Sequence, residues 1–356
     1  MGGASEGRMD IDRERLRAEV QRNCHVADAR HAGDLGMCTY LMRMREYFRW
    51  ERGLDFTAKL SNEEVGEWLD RREALWAGLA ETDYAPLEIG GRRFDPFDAE
   101  GVNAMLEPAG LVYSAGLVHG AKAHFFLGVL TRGAEGEEGF SLRVSDRELA
   151  RGLSAPPAMQ QGRTIYVRRE SLRRMLWEKL ETWRWSRADN GFARAFAIYD
   201  FDHDLAASLD RMTESEVDAA IEHEIGEYQA ERLLGPAWND MLMDLAGTPA
   251  ELMARAVRDH LADCARTLPM LARTRRAGSL HFYFGNLAGM RGEIFPGLVA
   301  AYREWLAGGD YEPLLAIAEV GREHWSSLGR EMLDLHRAGP SDAARAIARL
   351  IGANVL

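Results

Sequence analysis

The stretch MTESEVDAAIEHEIGEYQAERLLG, residues 212–235, decides the fold that the sequence predicts. Thr213 is followed three residues later by Glu216, which is the capping-box pattern of a helix start. The sequence Leu-Leu-Gly-Pro then ends the helix. Apolar residues recur at helical spacing between these two signals: Val217, Ile221 and Tyr228. The stretch is therefore predicted to form a helix with one face in a protein core.

Acidic and imidazole side chains interrupt this apolar face. Glu224 falls on the face itself, while His223 and Glu227 flank it one turn apart. A carboxylate directed into a core is costly unless it is paired, protonated or bound to a metal ion. We therefore take this helix as the first part of a candidate functional site.

The same periodicity predicts helices along most of the chain. They are expected near residues 10–50, 61–80, 163–186, 213–234, 249–268 and 311–336, with a short helix near 145–153. The stretch 111–130 is ambiguous between a close-packed helix and a short hairpin. The predicted fold class is mainly α, a multi-helix, bundle-like domain with little or no β structure. Residues 1–9 are expected to be a disordered tail, and residues 10–356 one large helical domain with a subdivision near 82–160.

Two further predicted helices carry polar groups on or beside apolar faces. Asp28 and His31 lie on the helix predicted at 10–50, and His260, followed by Asp263, lies on the helix predicted at 249–268. If these faces meet in one interior, the groups converge. The candidate metal ligands are then Asp28, His31, His223, Glu224, Glu227 and His260.

Oxygen and imidazole ligands together suit iron, manganese or zinc. In residue type and helix placement the set resembles ferritin-like and haem-oxygenase-like dimetal proteins, which direct Glu, Asp and His inward from several helices. The Glu-x-x-His pair of such sites is absent, since His223 and Glu227 are four apart in the reverse order. The first hypothesis is a buried non-haem metal centre in an oxygen-activating or redox enzyme acting on a small-molecule substrate.

The rival hypothesis is a helical interaction or chaperone-like protein. In that case the same groups form a structural hydrogen-bond network, which fixes helix register without chemistry. His31 is equally well interpreted as a core histidine bonded to a neighbour. A third alternative, a pocket for an apolar ligand, is motivated by nine tryptophans and fifteen methionines.

Composition narrows the classes of partner. The net charge of −12 disfavours nucleic acid and anionic membranes as main partners. Three cysteines in 356 residues give no disulfide framework, so a reducing, cytoplasmic setting is expected. No secretory signal, nucleotide-binding glycine loop or Gly-x-Ser-x-Gly elbow is present. The sequence leaves the oligomeric state open, a homo-oligomer included.

Overall fold

A computed structural model describes residues 11–118, 122–339 and 342–356. The disordered tail expected at residues 1–9 lies outside this part of the chain. The chain divides into two compact units. The first contains residues up to 136 together with 141–157 and 168–171, and the second contains 137–140, 158–167 and 172–356.

The first unit combines four helices with a two-stranded and a three-stranded antiparallel ladder. Its helices are α1 (Arg13–His31), α2 (Met37–Arg52), α3 (Asn62–Ala77) and α4 (Ala99–Leu106). Its strands are β1 (Leu87–Ile89), β2 (Arg92–Phe94), β3 (Leu111–Val118), β4 (Lys122–Glu135) and β5 (Ser141–Arg151). Helix α1 packs on β4 and β5.

The expectation of little or no β structure is therefore wrong. Strand β4 is buried without a break from His124 to Gly128, so its sequence lacks the alternation that marks a half-buried strand. The hairpin alternative for residues 111–130 is the one that forms, with Leu111 paired to Val129. The short helix expected near 145–153 is instead strand β5, whose buried residues partly alternate.

The helix predicted at 10–50 is two helices. Helix α1 ends at His31, a 3₁₀ turn follows, and α2 begins at Met37. Gly33 and Gly36 in the connection lower helix propensity and permit the break. The apolar face predicted along this helix, from Val20, Cys24 and Ala27 to Cys38 and Met42, is buried up to Ala27 but exposed at Cys38 and Met42. Cys24 is buried, whereas Cys38 is exposed.

The second unit is mainly helical. It contains the hairpin of β6 (Ala158–Gln161) and β7 (Thr164–Arg168), and most of α5 (Arg169–Ser186). The remaining helices are α6 (Gly191–Tyr199), α7 (Leu205–Leu234), α8 (Ala237–Asp244), α9 (Pro249–Ala262), α10 (Leu268–Arg273), α11 (Ala277–Asn286), α12 (Met290–Ile294), α13 (Pro296–Gly308), α14 (Glu312–Arg337) and α15 (Ala343–Ala353). None of the described helices is both long and apolar enough to cross a membrane.

Helix α7 contains the predicted stretch but begins eight residues earlier than Thr213. Asp204 caps it by accepting the backbone N–H of Ala207 at 3.0 Å. Thr213 lies inside the helix, where its hydroxyl donates to the carbonyl of Leu209 at 2.6 Å. The capping-box interpretation is wrong, because a threonine can bond the preceding turn as well as cap a helix.

Helices α7 and α9 approach each other closely at a glycine. A Cβ atom added to Gly226 would stand 2.5 Å from the carbonyl oxygen of Ala262. The contact needs a residue without a side chain, because the opposing atoms are backbone and cannot turn away.

Gly226→Ala should lower the free energy of unfolding by about 1–3 kcal/mol, the usual cost of overpacking a core. The matched control is Gly66→Ala in α3, where an added Cβ meets nothing within 4 Å. It should raise stability by about 0.5–1 kcal/mol through helix propensity. Urea unfolding of both variants measures these changes, and equal effects at the two sites would contradict the close packing.

Candidate functional site

Four of the six predicted site residues lie in the second unit. His223, Glu224 and Glu227 are on α7, and His260 is on α9. The other two, Asp28 and His31, are on α1 in the first unit.

Asp263 is the centre of the cluster in the second unit. It begins a π-helical segment, Asp263–Thr267, inserted between α9 and α10. One carboxylate oxygen accepts from Nδ1 of His223 at 2.8 Å. The other accepts from the hydroxyl of Tyr283 at 2.9 Å and forms an ion pair with Arg291. The Asp263 side chain is only 1% exposed, so these bonds replace its hydration.

The cations around Asp263 keep its carboxylate charged. Burial alone raises the pKa of Asp263, but Arg291 and His223 outweigh burial and hold that pKa well below its usual value. A π-helical turn is rare and often accompanies a functional site. Here it places the Asp263 carboxylate within reach of donors from α7, α11 and α12.

His223 lies between two carboxylates. Its Nδ1 is bonded to Asp263, and its Nε2 lies 3.6 Å from Oε1 of Glu227. Burial lowers the pKa of His223, but Asp263 and then Glu227 outweigh this effect and raise it to about 10. The imidazole is therefore a cation at neutral pH, with 30% of its side chain exposed.

The two glutamates of α7 differ in their partners. Glu227 forms an ion pair with Arg258 at 2.9 Å, and Arg258 also lies 3.7 Å from Asp259. Glu224 is 7% exposed, and its Oε2 has no hydrogen-bond partner among the described residues. Burial, reinforced by Glu227, raises the pKa of Glu224 to about 7.

His260 is a core histidine at the edge of this cluster. It is fully buried, stacked on Trp325 with ring centres 5.2 Å apart. Its Nε2 lies 2.9 Å from the carbonyl oxygen of Arg291. Burial and then Arg291 lower the pKa of His260 to about 4, so the ring is neutral at physiological pH. His260 is thus connected to the cluster by its hydrogen bond with the backbone carbonyl of Arg291.

Asp28 and His31 each have their own partner in the first unit. Asp28 is buried and accepts the backbone N–H of Leu153 at 2.9 Å. Burial raises the pKa of Asp28 to about 7. His31 is part-exposed and lies 3.5 Å from a carboxylate oxygen of Asp34. Within the described residues, no group of three or more His, Cys, Asp or Glu side chains is arranged to hold a metal ion.

Sequence reasoning missed four members of the cluster, of which Asp259 is one. Arg258 is on α9 itself, but Tyr283 and Arg291 come from α11 and α12. Their contacts with Asp263 span 20 and 28 residues. No local periodicity signals such pairs, so only the tertiary structure identifies them.

Comparison with known proteins assigns both halves of the chain to one family. Residues 15–168 match the N-terminal domain, and residues 173–354 the C-terminal domain, of a family of unknown function, DUF6866. The chain belongs to this family. No curated protein and no solved structure matches it. Membership in DUF6866 carries no activity with it.

Asp263→Asn should lower the pKa of His223 from about 10 towards or below its ordinary 6.5, because it removes the negative carboxylate that accepts from Nδ1. Loss of the buried anion beside Arg291 should also destabilise the fold by roughly 3 kcal/mol. NMR titration of the histidines and urea unfolding measure the two effects. Asp259→Asn is the control and should leave His223 strongly basic. A His223 that titrates near 6.5 in the unaltered protein would refute the pairing.

Proposed function

We propose that this protein is a helical interaction protein, and that the cluster around Asp263 is a structural network of ion pairs and hydrogen bonds. The observation that carries the proposal is the internal balance of charge. Apart from Glu224, the cluster sets three cationic side chains against three carboxylates: His223, Arg258 and Arg291 against Asp259, Asp263 and Glu227.

A metal ion would have to compete with these cations. The carboxylates of Asp263 and Glu227 already bind imidazolium and guanidinium groups at hydrogen-bond distance. A divalent ion placed beside Arg258 and Arg291 would be repelled by both unless they moved away. The arrangement therefore supports a network in which Asp263 and Glu227 are paired with cationic side chains and need no metal ion to balance their charge.

The network connects several helices of the second unit. His223 joins α7 to the π-helical segment, and Glu227 joins α7 to α9 through Arg258. Tyr283 and Arg291 join α11 and α12 to the same aspartate. A buried network of this kind allows few alternative helix registers, because a shift of one residue leaves charges unpaired.

An exposed apolar face in the first unit supports an interaction role. On α2, Met37, Leu41 and Met42 are 71%, 47% and 62% exposed. Met37 and Leu41 are four residues apart and therefore neighbours on the helix surface, and Met42 follows Leu41 directly. Methionine adapts its shape to different partners, and grouped exposed apolar side chains are typical of binding surfaces.

A metal-dependent redox enzyme is the second candidate, and Glu224 is the observation that favours it. Its Oε2 is buried without a hydrogen-bond partner among the described residues, on the same helix as His223 and Glu227. One carboxylate oxygen is thus left to bind iron, manganese or zinc if the arginines move away.

Glu224→Gln distinguishes the two candidates, because it keeps the shape of the side chain but removes its charge. Wild type and variant are purified without chelator and then loaded with iron, manganese or zinc. The network predicts that neither protein contains stoichiometric metal. It also predicts that EDTA leaves both melting temperatures unchanged. Glu222→Gln is the control, since Glu222 lies on α7 but pairs with Arg266. The opposite result is that wild type and Glu222→Gln bind metal, whereas Glu224→Gln loses the metal and melts at a lower temperature. That result would contradict the network and favour the metal-dependent enzyme.

The pH dependence of stability gives a second test. Since burial raises the pKa of Glu224 from 4.5 to about 7, its contribution to stability is fully present below pH 4.5 and is lost as pH rises through about 7. Glu224→Gln removes this dependence. The variant should therefore gain stability relative to wild type across that window, by a few kcal/mol at most, at about 1.4 kcal/mol per pKa unit. Urea unfolding at several pH values measures the difference, and a difference that falls with rising pH would contradict the buried, protonated acid.

A further inference from the structure

A groove of 420 Å³ lies in the first unit where α1, α2 and α3 meet. Its apolar lining comes from four alanines together with Leu35 and Met37. The volume is in the range of small-molecule sites, about 300–1,000 Å³. The groove therefore has the size and lining for the apolar body of a small ligand.

One end of the groove is polar. Glu73 is its only charged lining residue, and it accepts a hydrogen bond from the hydroxyl of Tyr40 at 2.8 Å. Among the described residues Glu73 has no cationic partner, whereas Glu67, two turns earlier on α3, pairs with Arg71. The Tyr40 bond orients the carboxylate and leaves it able to accept further donors.

Two aromatic residues, Tyr40 and Trp76, line the groove together with Glu73. Trp76 is held in place because its indole N–H lies 3.3 Å from Nδ1 of His25. A carboxylate combined with aromatic rings favours a positively charged group over a neutral or negative one, through ion pairing and cation–π attraction.

We propose that this groove binds a small organic cation, an ammonium compound with an apolar body. The apolar body lies along the alanines and Met37, and the ammonium group pairs with Glu73 beside Tyr40 and Trp76. The site goes beyond the interaction function proposed above, and its existence does not depend on the role of the cluster around Asp263.

Three probes with the same six-carbon chain test the charge preference on the full-length protein: hexylammonium, hexanol and hexanoate. Calorimetry measures affinity, and the NMR signal of the Met37 methyl group, identified by its loss in Met37→Leu, reports binding in the groove. Hexylammonium should bind saturably and shift the Met37 signal. Its affinity should be at least about tenfold higher than that of hexanol, and hexanoate should bind most weakly.

Variants of the groove test the contacts. Glu73→Gln should weaken hexylammonium binding by about three- to fivefold, as expected for loss of an exposed ion pair, and leave hexanol unaffected, whereas Glu67→Gln should bind like wild type. Ala77→Met, at an exposed position of the lining, should block both probes by filling the groove. Circular dichroism checks that each variant is folded.

Two results would overturn the proposal. The first is equal affinity for hexylammonium and hexanol in wild type together with no effect of Glu73→Gln. The second is the absence of any saturable shift of the Met37 signal by hexylammonium up to about 10 mM, a concentration that corresponds to less than 3 kcal/mol of binding free energy. Neither result bears on the metal content or stability of the Glu224 variant, so this proposal and the network can fail independently.

Discussion

The second unit depends on keeping one buried carboxylate ionised. Asp263 is almost completely removed from water, and an ionised acid there costs several kcal/mol unless donors replace its hydration. His223, Tyr283 and Arg291 supply those donors from three different helices. Loss of one donor would leave uncompensated charge in the interior. The correct positions of α7, α11 and α12 are therefore favoured together, and the π-helical turn at Asp263 fits the same requirement.

The charges around each carboxyl group distinguish Asp263 from Glu224, although the two look alike in the sequence. Asp263 is flanked by cations and has a depressed pKa, whereas Glu224 lies beside Glu227 and has a raised one. A charged Asp263 is part of a balanced network, while Glu224 at neutral pH is divided between protonated and ionised forms. Glu224 also keeps a buried carboxyl oxygen that has no hydrogen-bond partner among the described residues.

The sequence predicted those parts of the molecule that local periodicity controls. Helix α9 begins at Pro249, as predicted, with Thr248 as its cap, and α7 carries its apolar stripe inward. Strand β4 was ambiguous because its central residues are all buried, and burial without alternation suits a helix or a strand equally. Tyr283 and Arg291 could not be predicted as partners of Asp263, since their pairing depends on tertiary structure rather than on spacing along one helix.

The position of a carboxylate on the apolar face of a helix thus predicts that it is buried, but does not predict which groups it binds. Asp28 and Asp263 are both buried on helices, yet one accepts a backbone N–H and the other binds cationic side chains. Glu73 is exposed on α3 and has neither kind of partner among the described residues. The carboxylates of Asp28 and Asp263 already accept hydrogen bonds from other groups of the protein. A carboxylate that the fold leaves without a cation, beside aromatic rings and an apolar groove, retains its attraction for a cation from outside, and for that reason Glu73 is the acid we assign to ligand binding.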